Sequence, residues 1–334
     1  MRTTGVTRHG LWLGAAFALG LAVSTSATHA AEQTKVLRFA HIYSQEFSVH
    51  KAAEMIAQGV KKRTGGSVEI RILPSGQLGS ERQIMEQLMV GTVDMGNCTA
   101  NVCQSFEPSA GLTALPYLVR DFDHAFRIED GAVGKEIEKR LLSKTGARVI
   151  GYSTTGIRVV ATASKPIATI ADFKGLKIRV PESPVMISTF RSLGANPTPI
   201  PWGELYTALQ TRVVDAGEAP PAALNDIKLF EIAKVMSLTN HMYTGQFMLI
   251  SDKAWQRLNE KERAALLEAG REATAWQRAY TAKAQQQMIE SLQKTGVKVQ
   301  KVETGPMQKA VMPVYQEYSK TIGGMQLIEA AGKL

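Results

Sequence analysis

A single helical pattern of unusual length constrains the fold of this chain most. Asn259 and Glu262 form a capping box, and the pattern continues to Thr295, where Gly296 ends it. At about 1.5 Å per residue, an unbroken helix would be about 50 Å long, which exceeds a compact domain of about 150 residues. We therefore expect one helix that crosses two domains. The alternative is two helices broken at Gly270, since glycine costs only about 1 kcal/mol inside a helix.

The length of 334 residues also suggests two domains, because single hydrophobic cores stop growing at about 250 residues. With 44% hydrophobic and 21% charged residues, the composition excludes a disordered, collagen-like or disulfide-scaffold chain. The formal charge is +9, but the longest basic run, Lys61–Arg63, is too short for a nucleic-acid or membrane patch. This mild excess of positive charge suits a small anionic ligand, and we expect no nucleic acid as a partner.

The segment 1–30 has the parts of a secretory signal peptide. Arg2 and Arg8 form a basic head, and an uncharged run of 13 residues, Leu11–Val23, is too short to span a bilayer. Small residues follow, and we expect cleavage after Ala30. The mature protein should then be periplasmic and free of a lipid anchor, because no cysteine lies near that point. A membrane anchor and a buried N-terminal helix are the alternatives.

The chain has two cysteines, Cys98 and Cys103. An oxidising compartment permits a disulfide between them, but a bridge over this short spacing closes only if the chain turns back on itself. The sequence leaves the pairing open. No histidine lies beside either cysteine, so they do not indicate a zinc site, and we expect neither a metal nor a cofactor.

Segments with strand and helix periodicity alternate along the rest of the chain. The predicted strands are 36–41, 68–73, 93–96, 148–152, 157–161 and 177–180. The predicted helices are 50–64, one opened by Ser80 and Gln83, 134–144, 185–193 and 203–210. The long helix is expected to bury one stripe, made of Leu266, Ala269, Ala273, Trp276, Tyr280, Met288 and Leu292. This alternation is typical of an α/β fold with largely parallel sheets.

The motifs of common catalytic and nucleotide-binding sites do not occur in the chain. It has no phosphate-binding loop, no dinucleotide glycine fingerprint, no zinc-protease motif and no nucleophile elbow. The histidines beyond the signal segment have no cysteine or carboxylate at ligand spacing, and we interpret each as a solvated or capping residue: His41, His50, His124 and His241. These absences favour a binding protein. They do not exclude an enzyme, because the residues of a catalytic triad are brought together in space and need no shared sequence motif.

The segment 174–184 carries the clearest local signal for a ligand site. Its short strand ends at Val180 and is stopped by Pro181, and the ends of strands open onto the ligand crevice in α/β sheets. Arg179 lies at this end, where a guanidinium offers two parallel hydrogen bonds to a carboxylate. The alternative is an ordinary edge charge that points to water. Arg158 lies beside another predicted strand and is the weaker candidate.

A series of motifs, kept in order across nearly the whole mature chain, resembles one protein family. The motifs are Phe39–His41, Leu73–Gly79, Gly91–Asp94, Leu115–Leu118, Gly156–Arg158, Asp172–Ser183, Gly194–Pro199, Trp202–Gln210, Val214–Glu218 and Thr239–His241. The chain is similar to the extracytoplasmic solute-binding subunits of tripartite ATP-independent periplasmic (TRAP) transporters, of the C4-dicarboxylate-binding type.

The resemblance implies a two-lobed α/β periplasmic-binding-protein fold, with a ligand cleft between the lobes and a long helix spanning both. It also implies discontinuous lobes. Residues 31–155 and about 243–280 would form lobe I, and residues 156–242 and about 281–334 would form lobe II.

The resemblance further implies which residues bind the ligand. Arg179 corresponds to the carboxylate-clamping arginine of the family, and Arg158 corresponds to its second, more variable site arginine. Trp202 stands where these proteins carry an aromatic residue that packs on the ligand, and Ile42 also belongs to the expected ligand-binding set.

Two positions depart from the pattern of sialate-binding members. Thr99 replaces an acid and Ala219 replaces an asparagine, which argues against sialic acid and leaves a smaller or less polar ligand open; both residues belong to the expected ligand-binding set. Glu218 is expected to be structural, with a role in a metal-assisted variant as the alternative.

Together these features predict a non-catalytic periplasmic protein that captures a small organic carboxylate and delivers it to an ion-gradient-driven transporter. Its expected partners are the organic acid anion and the small and large membrane subunits of a TRAP transporter, and its expected state is monomeric. A periplasmic ligand sensor with the same fold stays open as an alternative, as does a periplasmic enzyme acting on an organic acid.

Overall fold

Two β-sheets organise residues 34–334, the part of the chain that the computed structural model describes. The predicted signal segment 1–30 and the expected cleavage point after Ala30 lie outside the described residues. The five-stranded sheet has the order β2-β1-β3-β10-β4 and the six-stranded sheet has the order β11-β9-β5-β8-β6-β7. The strands are β1 (Lys35–Ala40), β2 (Val68–Leu73), β3 (Met95–Thr99), β4 (Ala147–Ile157), β5 (Val159–Thr162), β6 (Lys177–Val180), β7 (Asn196–Pro199), β8 (Ala216–Ala219), β9 (Val235–Leu238), β10 (Tyr243–Ser251) and β11 (Lys298–Lys301).

Helices cover and connect the two sheets. They are α1 (Ser48–Arg63), α2 (Glu81–Val90), α3 (Ala100–Cys103), α4 (Phe122–Asp130), α5 (Ala132–Thr145), α6 (Pro184–Ser192), α7 (Leu205–Gln210), α8 (Pro221–Asp226), α9 (Asp252–Gln256), α10 (Glu260–Lys294), α11 (Gly305–Ala310), α12 (Met312–Ile322) and α13 (Gln326–Gly332). Short 3₁₀ turns lie at Pro108–Ala114, Ile170–Phe173, Trp202–Glu204 and Leu229–Glu231. Every predicted helix and strand has a counterpart, and the predicted capping boxes at Ser80 and Asn259 are both formed.

The two sheets are mixed, so the expectation of largely parallel sheets is wrong. In the first sheet β10 runs antiparallel to β3 and β4, and in the second β5 runs antiparallel to β8 and β9. The physical reason is the route of the chain. Only Arg158 separates β4 from β5, so the chain passes directly from one sheet to the other. β10 likewise enters its sheet from β9 of the other sheet after a short loop. Neither β5 nor β10 is therefore placed by a helical crossover within one sheet, which is the connection that makes neighbouring strands parallel.

The long helix α10 is continuous from Glu260 to Lys294, which confirms the single-helix prediction. A break at Gly270 is not found, and the structure gives another reason for this glycine. A Cβ atom at Gly270 would lie 2.4 Å from the carbonyl oxygen of Ile150 in β4. The missing side chain therefore lets helix and strand approach closely. The helix packs on α1 and β4 of the first sheet and on α8 and β11 of the second, so it crosses both parts of the fold.

The predicted buried stripe of α10 is wrong at Trp276 and Tyr280. Both rings are exposed, and they stack on each other with centroids 5.5 Å apart. The helix instead buries polar side chains, and Gln277 shows why. Its amide accepts from the backbone nitrogen of Thr154 at 3.0 Å and donates to the carbonyl oxygen of Thr154 at 2.6 Å. The inner face of α10 meets backbone groups of β4 that need partners, so it is polar there.

The hydrophobic core consists of two clusters, and each draws residues from both sheets. The C-terminal helices contribute to this arrangement, because α12 contacts both α6 and the 3₁₀ turn Pro108–Ala114, while α13 packs on α5. The expected lobe boundaries remain a prediction. Within residues 34–334, no helix combines the length and the hydropathy that crossing a membrane requires.

Candidate functional site

A cavity that is partly open to solvent lies where residues of the two sheets face each other. One wall follows β1, β3 and the start of α2, and the other follows β6 and β8 and precedes α7. All six residues of the expected ligand-binding set line this cavity: Ile42, Thr99, Arg158, Arg179, Trp202 and Ala219. The structure therefore brings the predicted residues together. Their contact with a ligand stays a prediction.

Arg179 is buried at the end of β6, with 2% of its surface exposed, so the edge-charge alternative is wrong. Its Nε donates to the carbonyl oxygen of Ile200 at 2.7 Å, and this is the hydrogen bond that its guanidinium makes within the described residues. The two terminal nitrogens keep their hydrogens for another acceptor. Burial lowers the pKa of Arg179 to about 10, opposed mainly by Glu218, so the group is still cationic at neutral pH.

Arg158 lies in the same cavity but is neutralised within the protein. It forms two side-chain contacts with Glu218, Nε to Oε2 at 2.5 Å and Nη2 to Oε1 at 2.6 Å. Its Nη1 donates to the hydroxyl of Thr244 at 3.0 Å. Both residues of the ion pair are buried. Of the two predicted arginines, Arg179 is thus the one whose terminal nitrogens have no hydrogen-bond partner within the described residues.

The geometry around Glu218 matches a structural carboxylate. Its Oε2 also lies 3.1 Å from Nε2 of His241, whose Nδ1 lies 2.8 Å from the hydroxyl of Thr239. Burial alone raises the pKa of a carboxyl, but the charge of Arg158 and the hydrogen bond from His241 outweigh it and lower the pKa of Glu218. Among residues 34–334 no group of three or more histidine, cysteine, aspartate or glutamate side chains is arranged to hold a metal ion.

Sequence reasoning missed Glu81, the first residue of α2, which lines the same cavity. Its Oε1 accepts from the backbone nitrogen of Thr99 at 3.1 Å and its Oε2 accepts from the Thr99 hydroxyl at 2.9 Å. Burial raises the pKa of Glu81 to about 7, although these hydrogen bonds act in the opposite direction. The capping box at Ser80 places Glu81 in the first turn of a helix, but it gives no signal that this turn lies beside the cavity.

Two further polar groups in the cavity wall have no partner within the described residues. Both amide atoms of Asn101 are buried and unpaired, and so is the indole nitrogen of Trp202. The Trp202 ring lies 5.6 Å from the guanidinium carbon of Arg179. Buried polar groups are normally hydrogen-bonded, so these atoms indicate a ligand that supplies donors and acceptors. Chemically, the site presents a cationic fork beside several hydrogen-bonding groups.

The predicted solvated character of the histidines is wrong, because His41, His50, His124 and His241 are all buried. A capping role fits His124, whose Nδ1 accepts from the backbone nitrogen of Arg120 at 3.2 Å just before α4. Each histidine has a buried partner that its sequence spacing does not reveal. Nε2 of His41 lies 3.0 Å from Nδ1 of His50, and Nε2 of His124 lies 2.9 Å from the carbonyl oxygen of Ala331. The two cysteines are also buried, and they are free thiols in the structure.

Comparisons with known proteins place this architecture in a family. Residues 39–321 match the bacterial extracellular solute-binding protein family 7. The chain is 35% identical over 285 residues to the 2,3-diketo-L-gulonate-binding periplasmic protein YiaO of Escherichia coli (strain K12), covering 85% of this chain and 86% of that one.

Solved structures agree with this match. A TRAP periplasmic solute-binding protein from Roseobacter denitrificans with bound β-D-glucuronate has a TM-score of 0.86 and 28% identity, covering 89% of this chain and 99% of the other. One from Polaromonas sp. JS666 bound to D-erythronate has a TM-score of 0.86 and 29% identity, covering 90% and 99%. The family binds small organic acid anions and works with TRAP membrane subunits. The chain has the two-lobed fold of these proteins and belongs to the solute-binding protein family of TRAP transporters.

Proposed function

We propose that this protein captures a small hydroxylated monocarboxylate, a sugar acid, and that Arg179 holds its carboxylate. One observation carries the proposal. The Arg179 guanidinium is buried in the cavity wall, yet its two terminal nitrogens have no partner within the described residues. A carboxylate would pair with this fork through two parallel hydrogen bonds and would neutralise a buried charge.

The remaining groups of the wall favour a hydroxylated ligand. Asn101 and Trp202 offer buried, unpaired donors and acceptors that ligand hydroxyls would satisfy. They favour a sugar acid over the partly apolar acid that Trp202 and Ala219 suggest when taken alone. Glucuronate, erythronate and diketogulonate, the ligands named for the three relatives, each carry one carboxylate next to oxygen-rich carbons.

Closure of two lobes around the anion would retain it. The ligand would bind the closed form better than the open form, because only the closed form contacts it from both walls. Asp226 at the end of α8 accepts hydrogen bonds from the backbone nitrogen and hydroxyl of Ser44, which follows β1, and so joins the two walls directly. The loaded, closed protein would then dock on the small and large membrane subunits as a monomer.

We further propose that the chain is not an enzyme and works in the periplasm after removal of residues 1–30. Its relatives are solute-binding proteins, and two of those above are described as periplasmic in sugar-acid complexes. Mass spectrometry of the protein from a periplasmic extract tests the processing. A mature chain that begins at Ala31 supports it, and a chain that retains the basic head contradicts it.

A thermal-shift experiment with matched ligands tests the proposed function. D-Glucuronate and D-erythronate are compared with D-glucose and erythritol, which lack the carboxylate. An acid at 100 times its dissociation constant should add about 2.7 kcal/mol of stability, and the neutral compounds should add almost none. Equal stabilisation by acids and neutral sugars would contradict the proposal, as would the absence of binding by both acids in calorimetry. Conversion of a bound acid into a product would establish an enzyme instead.

A further inference from the structure

We propose that ligand capture is coupled to the uptake of one proton by Glu81, the carboxyl group that shares the cavity with Arg179. The inference rests on the proposed function, because it takes the ligand to be an anion. It assigns Glu81 a second role beyond lining the site, in which its protonation state sets the affinity.

The balance of buried charge in the cavity wall carries the inference. Arg158 and Arg179 are buried cations in the wall, and Glu81 is a buried carboxyl group there. Glu218 lies behind the wall, paired with Arg158, so these four buried charges sum to zero without ligand when Glu81 is ionised. A bound carboxylate adds one negative charge to this closed space. An uncompensated buried charge costs several kcal/mol, whereas a buried carboxyl group can become neutral by binding a proton.

Two other charged side chains in the wall do not change this balance. Arg82 and Glu182 are only half-buried and have opposite charges. Nε of Arg82 also lies 3.3 Å from the carboxylate of Glu86 on the next turn of α2. Water and neighbouring charges screen these groups, so the buried four decide the cost of an added anion.

Glu81 is the carboxylate in the wall that can accept the proton. Glu218 is held as an anion by Arg158 and His241. The hydrogen bonds of Glu81 come from Thr99 alone, which is uncharged. A threonine hydroxyl can both donate and accept, so a protonated Oε2 could turn its hydrogen toward Thr99 or toward a ligand hydroxyl. Protonated Oε2 therefore keeps a hydrogen-bond partner, and a ligand oxygen would accept the hydrogen that Thr99 no longer donates to it.

The electrostatics of the ligand-free protein place Glu81 close to this transition. Burial raises its pKa to about 7, and the Thr99 hydrogen bonds and the charge of Arg179 limit the rise. A carboxylate bound to Arg179 would offset that charge and would raise the pKa of Glu81 further. At pH 8 the free protein would hold Glu81 mostly ionised, and the complex would hold it mostly protonated.

The other titratable groups around Glu81 keep one state between pH 7 and 9. Burial raises the pKa of Tyr43 and of Cys98 well above their ordinary values. Burial lowers the pKa of His241, and it lowers that of Arg179 only to about 10. Arg158 also acts on Glu81 through its charge and is paired with Glu218. A pH dependence of binding in this range therefore reports on Glu81.

The sign of the effect follows from linkage. The complex binds more protons than the free protein, so affinity is highest below the pKa of free Glu81 and falls as the pH rises. Between about pH 7 and the higher pKa of the complex, the dissociation constant should increase by up to about tenfold per pH unit. The sugar-acid carboxylates stay ionised throughout and add no slope of their own.

Calorimetry with D-glucuronate and D-erythronate at pH 7.5, in phosphate and in Tris, tests the proposal. These buffers differ in ionisation enthalpy, so the difference between the binding enthalpies measured in them gives the number of protons taken up per bound ligand. We expect uptake of about half to one proton per ligand. Glu81→Gln, which mimics the neutral carboxyl, should bind without proton uptake and with a flat profile from pH 6.5 to 9. Glu129→Gln is the matched control, because burial also raises the pKa of Glu129 to about 7 but it lies outside the cavity. It should keep the uptake.

Binding of either acid to the wild-type protein with equal enthalpies in both buffers would overturn the inference and leave the proposed function standing. Proton uptake that survives in Glu81→Gln, or that disappears in Glu129→Gln, would also overturn it. Absence of binding by both acids would overturn the proposed function and this inference with it. The wild-type measurement in two buffers decides the matter even where a variant does not fold.

Discussion

Glu218 neutralises Arg158 in the cavity wall through side-chain hydrogen bonds of 2.5 and 2.6 Å. This ion pair explains why two arginines in one site need not bind two anions. Arg158 is committed to the protein, and Arg179, whose terminal nitrogens are unpaired within the described residues, is left for a ligand. Arg158 is also the residue that separates β4 from β5, so the ion pair lies where the chain passes from one sheet to the other.

Glu218→Gln should strongly destabilise the protein. The substitution leaves Arg158 charged, buried and without its counter-ion, which typically costs about 3–5 kcal/mol. Urea unfolding at pH 7 measures the loss. The folded protein holds the pKa of Glu218 low, so its contribution is present above the ordinary glutamate pKa and is lost as the pH falls below it. The difference between wild type and variant should therefore shrink below about pH 4.

Glu54→Gln provides the comparison for an exposed pair. Glu54 lies 3.1 Å from Lys51 on the surface of α1, where such pairs contribute at most about 1 kcal/mol. A loss in Glu218→Gln no larger than the loss in Glu54→Gln would contradict the structural role of the buried pair.

The Asp226→Ala variant should release the ligand faster, although Asp226 does not line the cavity. The carboxylate accepts two hydrogen bonds from Ser44, which follows β1. Hydrogen bonds to charged groups contribute about 1.5–3 kcal/mol, less where water competes, so we expect about a tenfold faster dissociation. Stopped-flow kinetics with a sugar acid measures this rate. Asp215→Asn, in an exposed pair with Lys177, should leave the rate unchanged. Equal rates in Asp226→Ala and wild type would contradict a closing contact.

The periodicity and turn residues of the sequence were sufficient to predict about half of the strands and helices within residues 34–334. The capping boxes at Ser80 and Asn259 and the stop at Pro181 act locally, so they are readable from a few residues. The mixed sheets could not be predicted, because the direction in which a strand pairs depends on which sheet it joins, and the local sequence does not show this. Trp276 was misplaced for a similar reason. Its helix faces backbone groups of Thr154 in β4 that need side-chain partners. The Gln277 amide is therefore buried against them, and the Trp276 ring is exposed.

The site was predictable where it resembled a motif and not where it depended on spatial partners. Arg179 stands at a strand end that the sequence marks clearly. Glu81 and Asn101 come from other parts of the chain, and nothing in their local sequence shows that they share a cavity with Arg179. The burial of His241 likewise follows from Glu218, a residue 23 positions away.

Gly270→Ala should destabilise the protein, although alanine is the better helix former. A Cβ at this position would lie 2.4 Å from the carbonyl oxygen of Ile150, and neither backbone can easily move. The higher helix propensity of alanine would stabilise the variant by about 1 kcal/mol. Overpacking typically costs about 1–3 kcal/mol, and we expect a cost near the upper end of this range because the new Cβ meets backbone atoms. Thermal unfolding checks the net loss. Gly332→Ala in α13, where the new Cβ meets no atom within 4 Å, should be neutral or stabilising. A stabilised Gly270→Ala variant would contradict the close approach.

Trp202→Phe should weaken sugar-acid binding about 2- to 10-fold. The ring survives, but the buried indole N–H that awaits an acceptor is lost, and one hydrogen bond contributes about 0.5–1.5 kcal/mol. Calorimetry measures the change. Trp255→Phe is the matched control, because Trp255 lies in α9 beside Arg148, away from the cavity. It should bind like the wild type. A Trp202→Phe variant that also binds like the wild type would show that the indole N–H does not face the ligand.

The most direct test of the account compares D-glucuronate with its uncharged amide, D-glucuronamide, in the wild-type protein and in Arg179→Ala. Truncating a buried charge contact typically costs about 2–5 kcal/mol, so the wild type should prefer the acid by a large factor and the variant should bind both compounds with similar, weak affinity. The ligand-free variant should melt close to the wild type, because within residues 34–334 the Arg179 side chain makes a single hydrogen bond, to Ile200. If Arg179→Ala keeps the preference for the acid, the carboxylate is held elsewhere and the account is contradicted.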